Sequence, residues 1–146
     1  MSKHDKSEDV AGEVRETCLC LHAQRAARAL ARRFDAALRP AGLTNGQYSL
    51  LVALSRPAPW SIGELADLLA MDRTTMTAKL KPLERRGLLR VAVDEVDRRN
   101  RKVAITEDGR AVLRRALPLW RQAHDELERA GGFDADRLRA DLRTLA

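Results

Sequence analysis

The chain has 146 residues, of which 45% are hydrophobic and 33% are charged, and its formal net charge is +6. This length allows one domain with a sizeable core, and the composition excludes a chain that is disordered throughout. No stretch is long and apolar enough to span a membrane, and the first residues lack the apolar segment of a secretory signal. We therefore expect a cytoplasmic protein without a membrane partner.

The first 42 residues are expected to contain a polar arm and one long helix. Residues 1–10 are polar and predict a flexible arm. Ala11–Leu38 has no Pro or Gly after Gly12 and is rich in Ala, Arg and Leu, which predicts a single helix within an N-terminal region of residues 11–42. A helix of this length extends beyond the small domain that it covers. Its N-terminal half is therefore expected to pack against a second copy of the chain.

A second helix and a short strand are predicted next. Thr44 begins a helix that ends near Arg56, and Pro57 and Pro59 form a turn. Trp60 is expected in a short strand that joins a hairpin further along the chain.

Two short helices joined by a tight turn follow this strand. Ser61 and Glu64 have the spacing of a capping box at the start of the first helix. Asp72 is the predicted N-cap of the second helix, in which apolar residues recur on one face until Gly87 ends it. This arrangement is a helix-turn-helix.

The other face of the second helix combines short hydroxyl groups with long cations, which suits base edges and phosphates of DNA. Pro82 lies inside this helix, where it removes an amide donor and crowds the carbonyl of Ala78, so we expect a bend that weakens contacts after Lys81. The predicted DNA-binding residues of this helix are Arg73, Thr74, Thr75, Thr77, Lys79, Lys81, Arg85 and Arg86.

A basic hairpin is predicted after the second helix. Leu88–Val93 and Lys102–Ile105 alternate or are β-branched, and the segment between them is too polar to bury. A helix for the major groove beside a basic finger for phosphates or the minor groove predicts a winged helix-turn-helix over residues 43–106. The fold class is therefore mainly α with a small β-wing, and the predicted DNA-binding residues of the wing are Asp97, Arg98, Arg99 and Arg101.

Positive charge is concentrated in this segment. Residues 73–102 contain ten Lys or Arg against four Asp or Glu, so the remaining 116 residues carry no net charge. A solvated surface mixes the two signs, whereas binding driven by counterion release needs a local excess of cations. The expected partner is double-stranded DNA.

The ordered set of motifs resembles the MarR family of bacterial transcription regulators over roughly residues 15–145. The resemblance implies that Asp72–Arg86 is the recognition helix and that Asp97 orients Arg99, which enters the minor groove. The motifs that carry the resemblance are Ser61–Ala66, Met71–Thr75, Leu83–Leu88, Asp97–Arg99 and Ile105–Arg110.

The C-terminal region, residues 107–146, is expected to supply further dimerisation helices. Thr106 caps a helix that Pro118 should kink, and Asp134 caps a short last helix that cannot bury its own apolar face. In the family that the chain resembles, the first helix and the last two interlock in a twofold dimer. We therefore predict a homodimer.

The resemblance also implies how the protein acts. It predicts a sequence-specific repressor that binds a pseudo-palindromic operator and is released by a small-molecule effector, often an aromatic acid or another anion. The expected lining of the effector pocket consists of His22, Arg25, Tyr48 and His124. A nonspecific architectural DNA-binding protein is the alternative, since a basic winged helix alone would serve for that.

No metal site, cofactor or catalysis is expected. On one helix, Cys18 and Cys20 point about 200° apart and cannot bind the same ion, while Cys18 and His22 share a face but supply only two ligands. The sequence contains no nucleophile elbow, phosphate loop or zinc signature, so an enzyme is excluded.

The cysteines leave a redox function open. Organic-hydroperoxide sensors of the resembled family carry a reactive Cys at the position of Cys20, but the tyrosines that hydrogen-bond its sulfur there correspond to Gln24 and Phe34 here. We therefore expect a largely un-ionised thiol that serves as core packing, with peroxide sensing as the alternative. Cys18 is expected to have no resolving role toward Cys20 within one chain, since their side chains diverge around the helix.

Overall fold

The structure is a computed structural model that describes residues 9–57 and 59–146. It consists of helices and a small three-stranded antiparallel sheet, which confirms the predicted fold class. The predicted flexible arm falls on residues 1–8, outside the described residues, apart from Asp9 and Val10 at the first helix. The elements are α1 (Val10–Thr17), α2 (Leu19–Leu38), a 3-10 turn (Arg39–Ala41), α3 (Asn45–Leu54), β1 (Trp60–Ser61), α4 (Ile62–Leu68), α5 (Arg73–Arg85), β2 (Leu89–Val93), β3 (Arg101–Ile105), α6 (Glu107–Ala130) and α7 (Ala135–Arg143).

The single helix predicted over Ala11–Leu38 is wrong, because the chain leaves the helical conformation at Cys18, where φ is −72° and ψ is 104°. Thr17 and Cys18 are both weak helix formers. In addition, the Cys18 sulfur accepts the backbone N–H of Leu21 at 3.3 Å and so caps the start of α2. The two cysteines therefore do not share one continuous helix, and the angle that separates them on such a helix does not apply.

The corner between α2 and α3 fixes the angle between these helices. Gly42 has a φ of 71°, a left-handed conformation that glycine adopts without strain. Thr44 and Gln47 form a capping box at the start of α3, which confirms the predicted start of this helix at Thr44. The Asp35 carboxylate on α2 accepts the N–H of Asn45 at 2.6 Å, so an otherwise unpaired amide of α3 is satisfied from the preceding helix.

The helix-turn-helix has the predicted caps. Ser61 and Glu64 form the capping box of α4, Asp72 caps α5, and Gly87 ends the second helix with a φ of 71°. The Glu64 carboxylate accepts hydrogen bonds from the backbone N–H and the side chain of Ser61, which lower the pKa of Glu64 below its usual value. Helix α5 continues through Pro82 to Arg85, so the cations before and after the proline lie on one helix.

The wing is a sheet in the order β1-β3-β2. Trp60 pairs with Val103, which confirms that the short strand at Trp60 joins the hairpin. Leu89 pairs with Ile105 and Val91 with Val103 in the antiparallel hairpin, so apolar residues line up on the face toward the helices.

A close contact joins the recognition helix, the wing and α6. Thr106 caps α6 as predicted, and its hydroxyl also donates to the Gly87 carbonyl oxygen at 2.6 Å. Gly109 in the first turn of α6 is buried, and a Cβ there would collide with the Leu88 carbonyl oxygen. Glycine therefore allows α6 to approach the end of the helix-turn-helix directly.

The core lies around the helix-turn-helix, and the outer helices contribute little to it. Phe34 and Leu38 at the end of α2 are buried together with residues of α3, α5 and the wing, whereas α1 and α7 bury no residue. Arg139 holds α7 to α6 through Glu128 at 2.7 Å. Large apolar side chains thus stay exposed on α1, on α2 and on or beside α7, namely Val10, Val14, Leu19, Leu30, Phe133, Leu138, Leu142 and Leu145.

None of the helices within residues 9–57 and 59–146 is long and apolar enough to cross a membrane.

Candidate nucleic-acid interface

The burial of one face of α5 determines which side chains its other face presents. Met76, Leu80 and Leu83 are buried against the core. Because the helix has 3.6 residues per turn, the positions between them point to solvent. All eight residues that the sequence predicts as DNA contacts on this helix and its last turn are exposed.

The N-cap of α5 also determines how its hydroxyl groups are used. One Asp72 carboxylate oxygen accepts the N–H of Thr75 at 2.8 Å and the other accepts the Thr75 hydroxyl at 2.7 Å. These hydrogen bonds lower the pKa of Asp72. The Thr77 hydroxyl donates to the Arg73 carbonyl oxygen at 2.9 Å. Both hydroxyl oxygens therefore keep lone pairs that can accept from base amino groups.

The tip of the wing is a turn organised by Asp97. The Asp97 carboxylate accepts the backbone N–H of Arg99 at 3.1 Å and lies 3.4 Å from its Nε. The Asn100 amide group donates to the other carboxylate oxygen at 3.4 Å. The Arg99 side chain is 92% exposed, whereas that of Asp97 is 41% exposed. Asp97 thus orders the turn while Arg99 projects from it.

The fold brings together only part of the predicted DNA-binding set. Arg73, Thr77, Arg99 and Arg101 line one depression between α4, α5 and the wing. Lys79 lies instead beside the start of α3, in a depression that Thr44, Gln47 and Pro82 also line.

Arg86 has a different environment from the other predicted contacts. Its guanidinium donates to the Gly42 carbonyl oxygen at 2.9 Å and so connects the end of α5 to the corner between α2 and α3. This partner lies 44 residues away in the sequence, and no local pattern indicates it. The contact favours a structural role for Arg86.

The four residues predicted to line an effector pocket do not share one cavity. His22 and Arg25 are exposed near the start of α2, where His22 Nδ1 lies 2.7 Å from the Cys18 carbonyl oxygen. His124 packs against Phe34 and Trp120, with ring centroids 6.0 and 4.9 Å apart, and contacts Glu128 at 3.3 Å.

Tyr48 does line a cavity of about 650 Å³ between α3, α4 and α6. Burial raises the pKa of its hydroxyl, while the positive charge of Arg121 acts in the opposite direction. The Tyr48 ring stacks on Trp120 with centroids 6.1 Å apart. Trp120 and Arg56 were not among the pocket residues predicted from the sequence, although a large aromatic residue on an amphipathic helix is a signal for such a wall. The remaining lining is mostly apolar and includes Val52, Leu68, Leu69, Leu113 and Leu117, with polar groups from Asn45, Ser49 and Arg56.

The two cysteines lie at the start of α2 in different environments. Cys18 is half-buried, whereas Cys20 is exposed, so the expected packing of Cys20 in the core is wrong for the single chain. The Gln24 amide group donates to the Cys20 sulfur at 3.0 Å. In the described part of the chain, no three His, Cys, Asp or Glu side chains converge as metal ligands.

Known proteins similar to this chain are transcription regulators. The MarR family model matches residues 43–100. The structure of the transcriptional regulator MosR of M. tuberculosis in complex with DNA is 41% identical, with a TM-score of 0.80, and the match covers 88% of this chain and 92% of MosR.

Two sequence relatives differ in what their names say. The transcriptional activatory protein BadR of Rhodopseudomonas palustris is 42% identical over 79 residues, and the match covers 52% of this chain and 45% of BadR. This chain therefore spans about half the length of BadR. The organic hydroperoxide resistance transcriptional regulator of Bacillus subtilis is 26% identical over 130 residues, covering 89% of this chain and 88% of that protein. These relatives are regulators rather than enzymes, as expected from the sequence.

Adjacent arginines at the end of α5 provide a matched test of the interface. Arg86→Ala should lower the free energy of unfolding by roughly 1 kcal/mol, because the Gly42 carbonyl loses its donor. Arg85→Ala should leave the melting temperature unchanged and reduce DNA affinity more at low salt than at high salt. Thermal unfolding and fluorescence anisotropy on labelled duplex DNA measure the two effects. Equal melting temperatures together with a larger loss of DNA affinity in Arg86→Ala would contradict the structural role.

Proposed function

This chain belongs to the MarR family of winged-helix, DNA-binding transcriptional regulators, and on that premise we propose that it is a sequence-specific, homodimeric repressor released by a small-molecule effector. It would act in the cytoplasm on a pseudo-palindromic operator. The observation that carries the proposal is the exposed hydroxyl and basic face of α5, which lies beside a wing whose tip projects Arg99. A repressor acts by occupying the promoter, and an interface that binds DNA is sufficient for this.

Exposed apolar surface supports the homodimer. Helices α1 and α7 bury no residue, and α2 buries only its last two turns through Phe34 and Leu38. Leu138 and Leu142 are 42% and 47% exposed on α7, with Leu145 beyond the helix at 68%. Exposed apolar patches of this kind mark protein interfaces, and a second copy presents the same surface for a twofold contact.

Arg99 at the tip of the hairpin is the basis of a test that separates sequence-specific binding from a nonspecific architectural role. If Arg99 enters the minor groove beside a base-reading helix, Arg99→Ala should cost about 1 to 3 kcal/mol of binding to the preferred duplex. A palindrome recovered by selection from random DNA and a scrambled duplex of equal length serve as the two probes in fluorescence anisotropy. Arg115→Ala provides the charge-matched control, since Arg115 is exposed on α6 and lies outside the predicted DNA-binding set.

Two results would count against this assignment. Unchanged affinity of Arg99→Ala across salt concentrations would show that the wing does not bind DNA as proposed. Equal affinity of the wild-type protein for both duplexes would favour the architectural role.

The cavity beside Tyr48 is the proposed effector site. Its walls are mostly apolar, with Trp120 stacked on Tyr48 and the Arg56 side chain at the lining. An aromatic ring fits such walls, and a guanidinium with a phenolic hydroxyl can bind a carboxylate. The cavity lies between α6 and the α3–α4 side of the DNA-binding region. A small aromatic acid bound there would separate the helices that position the recognition helix α5, and DNA would be released.

Peroxide sensing through Cys20 is the second candidate function. The observation that favours it is that Cys20 is exposed, with an amide donor 3.0 Å from its sulfur, and so is accessible to a peroxide. A cysteine thiolate attacks the outer oxygen of an organic hydroperoxide, which forms a sulfenic acid and releases an alkoxide that takes up a proton. Condensation of the sulfenic acid with another thiol would give a disulfide and water. The break at Cys18 removes the helical geometry that argued against Cys18 as that thiol.

The effector hypothesis predicts that organic hydroperoxide releases DNA from the wild-type protein and from Cys20→Ser at the same rate. Stopped-flow anisotropy on the DNA complexes measures the release, with Cys18→Ser as the matched control. Rapid release that Cys20→Ser alone abolishes would make the protein a peroxide sensor. Slow formation of a disulfide after release, lost in Cys18→Ser, would identify Cys18 as the resolving thiol.

A further inference from the structure

We propose that the depression between α4, the start of α5 and the wing holds a phosphate of the DNA backbone, and that Gly63 positions the Arg73 guanidinium for it. The inference rests on the proposed docking of α5 and the wing in neighbouring grooves. The depression has a volume of about 190 Å³, and its lining includes Ser61, Gly63, Arg73, Thr77, Arg99 and Arg101.

The Arg73 guanidinium lies against the backbone of Gly63. A Cβ on Gly63 would be 2.7 Å from Arg73 Nη2, 3.2 Å from its Cζ and 3.3 Å from its Nε. The whole guanidinium group therefore occupies the space that any other side chain at position 63 would need. Gly63 is the second residue of α4, so the first turn of one helix sets the direction of the first side chain of the next.

The charges around the depression are unbalanced. Among residues 9–57 and 59–146, no carboxylate lies within 4.0 Å of the Arg73 or Arg101 guanidinium. The acidic residues directly beside Gly63 and Arg73 in the sequence already have partners, since Glu64 binds Ser61 and Asp72 binds Thr75. A cation at a helix N-terminus is also opposed by the helix dipole. An anion between these arginines offsets that repulsion.

The geometry of DNA identifies the anion. One strand of the sugar-phosphate backbone separates each major groove from the neighbouring minor groove. If α5 occupies the major groove and Arg99 the minor groove, that strand has to pass between them. Arg73 and Arg101 line the depression between these two elements. Gly63 is therefore a positioning residue, and Arg73 is the residue that binds the phosphate.

Substitution of Gly63 should separate DNA binding from stability. A Cβ at position 63 meets the end of a flexible side chain and no backbone atom within 3.3 Å, so the fold can accommodate alanine by moving Arg73. Alanine also favours a helix more than glycine does. Gly63→Ala should melt at or above the wild-type temperature and yet bind DNA less tightly. Gly46→Ala is the matched control, because a Cβ on this other helical glycine meets nothing within 4 Å.

The experiment compares Gly63→Ala, Arg73→Ala, the double variant and Arg73→Lys by anisotropy between 50 and 300 mM KCl, a range of about sixfold over which phosphate contacts change affinity strongly. The probes are the selected palindrome and a scrambled duplex. Gly63→Ala and Arg73→Ala should each weaken both duplexes by the same factor, about tenfold, and reduce the salt slope by roughly one per subunit. Arg73→Lys should recover most of the slope, and the double variant should match Arg73→Ala, because Gly63 acts through Arg73.

Four outcomes would overturn the inference. An unchanged salt slope in Arg73→Ala would exclude the phosphate contact, and a loss confined to the palindrome would identify a base contact instead. Further weakening by Gly63→Ala in the Arg73→Ala background, or wild-type binding by Gly63→Ala alone, would exclude the positioning role. If the wild-type protein binds both duplexes equally, sequence-specific function fails, whereas the comparison of slopes still tests the phosphate contact.

Discussion

The burial of Met76, Leu80 and Leu83 is the constraint on which the rest of the interface depends. These three side chains are 0%, 2% and 0% exposed, and they fix the rotation of α5 about its own axis. A rotation that moved the cations inward would bury charge without partners and expose the core, which costs far more than any single contact with DNA provides. The DNA-binding face is thus determined by core packing, and its own side chains are free to serve recognition.

A second set of contacts fixes α5 relative to the remainder of the molecule. The Thr106 hydroxyl binds the Gly87 carbonyl, and Arg86 binds the Gly42 carbonyl, so the end of the recognition helix is attached to α6 and to the corner after α2. Helix α2, which precedes this corner, and helix α7, which Arg139 attaches to α6, carry apolar surface proposed for the dimer. Under the proposed function, a change in the angle between subunits therefore moves the two recognition helices as rigid parts of their domains.

Short-range features of the fold could be predicted from the sequence, because they depend on residues three or four positions apart. The capping boxes at Thr44 and Ser61 and the N-caps at Asp72, Thr106 and Asp134 are examples, and in each the capping side chain satisfies a nearby amide. The break at Cys18 could not be predicted, because a thiol cap and weak propensities at Thr17 and Cys18 there outweigh a favourable composition on both sides.

Features that join distant parts of the chain also could not be predicted from the sequence. Three such features depend on the tertiary arrangement. They are the hydrogen bond from Arg86 to Gly42, the packing of the Arg73 guanidinium against Gly63, and the cavity that Tyr48 and Trp120 line. The spacing of residues assigned both Arg85 and Arg86 to the predicted DNA contacts. Only the tertiary contacts show that Arg86 binds the Gly42 carbonyl oxygen. His22 and His124 were grouped on chemistry alone, and the fold separates them.

The central claim is that two copies of this chain present their recognition helices to one face of the DNA. Hydroxyl-radical footprinting of the wild-type protein on the selected duplex measures this most directly. A twofold dimer should give two protected windows related by dyad symmetry, with centres about 34 to 36 Å apart, or roughly 10 base pairs. A single window without a dyad, or uniform protection that follows no sequence, would contradict it.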